Sequence, residues 1–113
     1  MIQVYHNPRC TKSRECLAFM EDSGQAYEIV RYLEDIPTFD ELKSIVKKLG
    51  IKPIELVRKK EKIWLEQFEG KPMSDDAIIA AMISNPILIE RPIVVNGDKA
   101  IIARPLKKAA EII

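Results

Sequence analysis

The stretch Ile2-Gln3-Val4-Tyr5-His6-Asn7-Pro8-Arg9-Cys10-Thr11-Lys12-Ser13-Arg14 decides how this chain folds. Its first four residues alternate like a short strand, and residues 11–23 read as a helix with Cys16, Leu17 and Met20 on one face. Asn7 and Pro8 suit the tight turn between them. Cys10 therefore sits where a strand turns into a helix, with Arg9, Lys12 and Arg14 within four residues. A thiol at that place meets the positive end of the helix dipole and unsatisfied backbone N–H groups. Both favour thiolate, the reactive form of cysteine.

Outward from this stretch, Gly24 closes the helix and Tyr27-Glu28-Ile29-Val30 reads as a second strand. The resulting β-α-β unit implies a parallel pair. Pro37-Thr38 is a turn, and Thr38 with Glu41 fits a capping box. Leu42, Ile45, Val46 and Leu49 then form the apolar face of a helix closed by Gly50. Pro53 opens a short helix through Leu56-Val57. Residues 61–68 read as helical, with Ile63, Trp64 and Phe68 inward. Ser74, followed by Asp75 and Asp76, caps a helix running to about Ser84, where Asn85-Pro86 stops it. Ile93-Val94-Val95, then Asn96-Gly97-Asp98, then Ala100-Ile101-Ile102 spell strand, tight turn and strand. A last helix is expected from about Pro105 to Ile112. The order is β-α-β, a helical block, then β-β-α, which is natural for helices packed around one small mixed sheet.

Length and composition bound the function. The 113 residues are 47% hydrophobic and 31% charged, an ordinary globular balance expected to form one domain. A net charge of +1 gives no bulk attraction to nucleic acid or an anionic membrane. No apolar run approaches the ~20 residues of a membrane span, and no secretory leader pattern is read at the N-terminus. Cys10 and Cys16, six residues apart, make a poor disulfide framework, so a reducing, cytoplasmic compartment is expected. No metal and no bound cofactor are expected.

Several local motifs are more specific. His6-Asn7-Pro8, Cys10, Ser13-Arg14, Leu56-Val57-Arg58-Lys59, Pro86-Ile87-Leu88-Ile89, Arg91-Pro92-Ile93-Val94-Val95 and Ala103-Arg104-Pro105 occur in that order over nearly the whole chain. Together they resemble the glutaredoxin-coupled arsenate reductase family. The resemblance implies an α/β, thioredoxin-like (glutaredoxin-like) fold: a mixed sheet with β-α-β and β-β-α halves and an inserted helical subdomain over about residues 38–85. It implies arsenate, or a similar oxyanion, as substrate, Cys10 as nucleophile, and Arg58, Arg91 and Arg104 as the grip on the oxyanion. His6 matches a histidine that tunes the thiol, and Pro92 a cis-proline facing it. The implied reductants are glutathione, as co-substrate, and a glutaredoxin-type thiol donor. The family also holds arsenate-reductase-like proteins, for which glutathione-dependent thiol reduction is an alternative, and Spx-like transcriptional regulators that bind RNA polymerase. Such regulators usually carry a Cys-x-x-Cys switch, which Ser13 breaks.

Each residue also has a plainer reading. A free cysteine is commonly a small buried hydrophobe, but burial alone does not call for flanking arginines and a helix N-terminus. Arginines taken singly are mostly solvated, yet Arg91 and Arg104 flank the hairpin, and a guanidinium suits an oxyanion through its planar fork. The backbone N–H groups of Thr11, Lys12 and Ser13 would hold an oxyanion. The Ser13 hydroxyl would bond either the thiolate or the helix terminus. His6 would bond near the thiolate or remain a loop histidine. Asn7 and Arg14 would shape the loop, with Arg14 otherwise a solvated helix residue. The family loop usually continues from the cysteine as Gly-Thr-Ser-Arg. Here Thr11 removes the freedom of a glycine and Lys12 adds a charge that should lower the thiol pKa. Cys16 lies six residues on, ~9 Å of helical rise and a turn of ~600°, beyond the ~7 Å between α-carbons that a disulfide tolerates. It is expected in the core, leaving an external thiol to finish what Cys10 starts.

Overall fold

The computed structural model describes residues 2–113. β1 (Ile2–Tyr5) carries Ile2, Val4 and Tyr5 inward, with Val4 fully buried. It pairs in parallel with β2 (Tyr27–Val30), Ile2 opposite Tyr27 and Tyr5 opposite Val30. On its other side it pairs antiparallel with β3 (Ile93–Asn96), Val4 opposite Val94, and β3 continues into β4 (Lys99–Ile102). The mixed sheet has the order β2-β1-β3-β4, the arrangement of a thioredoxin-like fold. The strands at its centre, β1 and β3, are the most buried of the four, because each has a paired strand on both sides.

The chain divides into two compact units, Met1–Asp35 with Arg91–Ile113, and Ile36–Glu90. In the first, α1 (Thr11–Ser23) follows β1 and lays Cys16 and Met20 on Ile2, Val4, Val94, Ala103 and Ala109. Burying such side chains contributes on the order of 1.5–3 kcal/mol each. Gly24, at φ 72°, ends α1 with its N–H on the Glu21 carbonyl, a left-handed stop for which glycine has no Cβ penalty. Asn96 donates from its side chain to the Ile112 carbonyl and pins the C-terminus to the hairpin.

Two details of this unit depart from expectation. Asn96 is still paired, opposite Lys99, so the turn is made by Gly97 and Asp98. Gly97 has φ 63° and, among the described residues, no non-glycine residue has positive φ, the pattern of a II′ turn with glycine at its first central position. The last helix is a 3₁₀ segment, Leu106–Glu111, rather than an α-helix starting at Pro105. Pro105 is extended (φ −68°, ψ 160°) and stands just before the first turn.

In the second unit, α2 (Phe39–Leu49) starts on a complete capping box: Glu41 N–H donates to Thr38 Oγ1 at 3.1 Å and Thr38 N–H to the Glu41 carboxylate at 3.0 Å. Leu42, Ile45 and Val46 are buried. A 3₁₀ turn, Pro53–Leu56, leads to α3 (Lys62–Gln67), in which Trp64 is buried while Ile63 and Phe68 are only half-buried. Trp64 stacks on Phe68 at 5.5 Å and donates to Glu69 at 2.6 Å. α4 (Asp75–Ser84) is capped by Ser74, whose hydroxyl accepts from Ala77 N–H at 3.1 Å, and a 3₁₀ turn, Pro86–Leu88, follows it. Val57 and Ile89 form an antiparallel bridge, reinforced by Arg58 N–H to the Leu88 carbonyl (2.7 Å) and Glu90 N–H to the Leu56 carbonyl (2.8 Å). Among the described residues no helix is long and apolar enough to cross a membrane, and no cluster of His, Cys, Asp and Glu is placed to hold a metal.

Candidate functional site

Cys10 is the N-cap residue of α1, with extended backbone (φ −97°, ψ 122°) and 9% exposure. The loop that delivers it is tied to itself through Asn7. The Asn7 carbonyl accepts from Cys10 N–H (3.0 Å), its side-chain oxygen from Arg9 N–H (3.0 Å), and its own N–H reaches Ser13 Oγ (3.4 Å). An asparagine does this because its side chain can imitate a backbone turn. Asn7 and Ser13 are both buried, so these bonds are shielded from competing water. Arg14 closes the outside of the loop, donating to the Pro8 carbonyl and to Thr11 Oγ1, each at 3.2 Å.

Two arginines from the far end of the chain converge on the sulfur. Arg104 Nη2 lies 3.6 Å from Cys10 Sγ, while its Nε donates to the Arg91 carbonyl. The Arg91 side chain also hydrogen-bonds the sulfur. Both residues sit at the open end of the β3–β4 hairpin, and both precede a proline through a cis peptide bond, Arg91–Pro92 and Arg104–Pro105. Burial pushes the Cys10 thiol up. The Ser13 N–H, the Arg91 hydrogen bond and charge, and the Lys12 N–H outweigh it and bring the pKa to about 7. Roughly half the sulfur is then thiolate near neutral pH. Cys16 is the opposite case: fully buried, surrounded by Ile2, Val4 and Met20, its thiol is pushed up to about 11 by burial alone.

The structure thus brings together Cys10, Arg91, Arg104 and the amides of Lys12 and Ser13. The contributions of Ser13 and Lys12 come from the backbone. The Ser13 hydroxyl faces Asn7, and the Lys12 ammonium pairs with Glu15 at 3.8 Å on an exposed surface. The expectation that the lysine charge lowers the thiol pKa is replaced by the effect of its amide. The Thr11 side chain is exposed and receives Arg14. His6 is 4% exposed and its N–H donates to the Val30 carbonyl at 2.8 Å. Burial and the nearby charge of Arg31 hold its imidazole below the usual value, so it is neutral near pH 7. Arg58 belongs to the helical unit, where Glu61 (3.3 Å) and Glu90 (3.4 Å) flank its guanidinium. Arg31, Glu61 and Glu90 escape a reading of the sequence: each acts on its partner across a loop or the Val57–Ile89 bridge, and no motif marks them.

A low-pKa sulfur contacted by two arginines can attack an electrophilic centre while the guanidinium groups hold oxygens around it. The chain is similar to known proteins along nearly its whole length. The ArsC family profile matches residues 5–112. The chain is 42% identical to the protein YfgD of Escherichia coli K12 over 99% of its own length and 96% of the relative's. It is 41% identical to an arsenate reductase of Haemophilus influenzae over 97% of both chains. The structure of an arsenate reductase from Vibrio cholerae superposes with a TM-score of 0.94 at 43% identity, covering 99% of this chain and 97% of that one. From the fold, the sulfur site and these relatives together, the chain belongs to the ArsC family.

Proposed function

We propose that this protein reduces arsenate to arsenite, with Cys10 as nucleophile and an external thiol, glutathione with a glutaredoxin-type protein, as reductant in a reducing cytoplasm. The observation that carries the reading is the convergence of Arg91 and Arg104 on a sulfur with a pKa of about 7. The Cys10 thiolate attacks As(V), an S–As bond forms, and one arsenate oxygen leaves as water after protonation. Arg91 and Arg104 carry the oxyanion charge, and the Lys12 and Ser13 amides keep the sulfur ionised until it attacks. A donor thiol then attacks the Cys10 sulfur. The S–As bond breaks with its electron pair going to arsenic, giving arsenite and a Cys10–donor disulfide. A second donor thiol regenerates Cys10 and releases the oxidised donor. In sum, one arsenate and two thiols give arsenite, one disulfide and water.

The test is arsenite production with glutathione and glutaredoxin, compared with thioredoxin. Turnover that disappears in Cys10→Ser is the expected result. Absence of arsenite with every donor, while the protein still reduces glutathione mixed disulfides, would transfer the site to the glutathione-dependent thiol reductase reading.

A further inference from the structure

Beside the sulfur site lies a cavity of about 220 Å³. One wall is His6, Asn7 and Arg9, from the approach to Cys10. The other is Arg31, Leu33 and Glu34, from the turn after β2. We propose that this cavity seats one end of the donor thiol, a small zwitterion such as the γ-glutamyl end of glutathione, with its carboxylate on Arg9 and Arg31 and its ammonium on Glu34. The proposal rests on the external-thiol reading above and adds where that thiol docks.

Both walls are fixed before any ligand arrives. His6 N–H bonds the Val30 carbonyl (2.8 Å), and the Arg31 carbonyl accepts from Glu34 N–H (2.9 Å) and Asp35 N–H (2.8 Å). Arg9 N–H is held on the Asn7 side chain at 3.0 Å. The charges are available: among the described residues neither Arg9, Arg31 nor Glu34 takes part in an ion pair. His6, 96% buried by its 4% exposure, has an Nδ1 with no hydrogen-bond partner among the described residues. A buried polar nitrogen left unmatched is costly, and a polar ligand group entering here can relieve it.

Size and sign select the ligand. Cavities that enclose a whole small molecule run from ~300 Å³ upward, so this one takes an end and leaves the rest outside. Two cations and one anion match one carboxylate shared by two guanidinium groups and one ammonium, whereas Glu34 opposes a doubly charged oxyanion. Arg9 directly precedes Cys10, so a thiol anchored on Arg9 starts one residue from the sulfur it must meet.

The probe is S-methylglutathione, which lacks a free thiol, titrated into the ¹⁵N-labelled full chain. Saturable shifts at the His6, Asn7, Arg31, Leu33 and Glu34 amides are expected. Arg31→Ala should weaken that binding about tenfold and Arg31→Lys should restore part of it. In turnover, Arg31→Ala should lower the preference for glutathione over 2-mercaptoethanol by a similar factor. Shifts confined to the Cys10 loop, or equal shifts from inorganic sulfate, would overturn the zwitterion subsite even if arsenate is reduced. Shifts at the subsite without any arsenate turnover would sink the proposed function and leave the subsite standing.

Discussion

Truncating Arg91 to alanine tests whether the sulfur is tuned as the geometry indicates. The Arg91 side chain donates a charge-assisted hydrogen bond to Cys10 and places a positive charge beside it. A hydrogen bond to a charged group contributes ~1.5–3 kcal/mol, and one pKa unit corresponds to ~1.4 kcal/mol. Arg91→Ala should therefore raise the thiol by ~1–2 units, from about 7 into the range of an ordinary cysteine. Arg104 stays in place, because its Nε bond goes to the Arg91 backbone carbonyl, which the substitution keeps. The thiolate fraction near neutral pH falls from about one half to ~1–10%. Alkylation at one pH is a blunt measure of this. A more basic thiolate is more nucleophilic, with a Brønsted slope of ~0.4–0.5, so the single-pH rate falls only ~2–8-fold. The assay is the full pH profile of iodoacetamide alkylation, or of ultraviolet thiolate absorbance, in which Cys16 at about 11 is well separated. Arg91→Lys should lie between wild type and alanine. An Arg91→Ala inflection that stays at about 7 would refute the assignment of Arg91 as a sulfur ligand.

Other outcomes follow from the same structure. Cys10→Ser should abolish reductase turnover, whereas Cys16→Ala should retain most of it at a stability cost of ~1–2 kcal/mol from the lost core contacts, read by turnover and by denaturant midpoint. Stability should itself depend on pH through both thiols. The folded pKa of Cys10 lies below the ordinary thiol value of 9.0, so its contribution is fully present above about 9 and is lost as pH falls through about 7. The folded pKa of Cys16 lies above 9.0, so its contribution is present below about 9 and is lost as pH rises through about 11. Chemical denaturation across that range should show a rise and then a fall, with the rise missing in Cys10→Ser. Thr38→Ala removes one half of a capping box and should cost ~1 kcal/mol, lowering the thermal midpoint by a few degrees with no effect on the Cys10 inflection.

The first half of the sheet is legible because its signals are local. An alternating strand, Asn7-Pro8, a helix and Gly24 lie within one continuous stretch, and so does the Thr38–Glu41 box. Residues 105–112 were less legible, since over so few residues periodicity does not separate a 3₁₀ segment from an α-helix. The hairpin was found, but its turn sits one residue later than Asn96-Gly97 suggests, because Asn96 remains paired. In the site, the sequence suggests both backbone and side-chain roles for Ser13 and Lys12, and only the amides, which any residue would supply, act on Cys10. Where a side chain points depends on its neighbours: Glu15 draws Lys12 outward and Asn7 occupies the Ser13 hydroxyl. Arg31 was invisible for a similar reason, since its effect on His6 exists only once β2 lies beside β1.

The β3–β4 hairpin is also a measuring device. Arg91 and Arg104 lie just outside its two open ends, and the pairing of Ile93 with Ile102 sets how far apart the two guanidinium groups begin. Slipping one strand by a single residue would turn every β4 side chain to the other face and carry Arg104 away from the sulfur. Chain length near Gly97, far from any chemistry, is therefore constrained as tightly as the arginines themselves. An insertion there is tolerable only if it bulges out of the turn and leaves the ladder in step. Evolution of this arginine pair beside the sulfur is thus limited by strand arithmetic as well as by the choice of side chain.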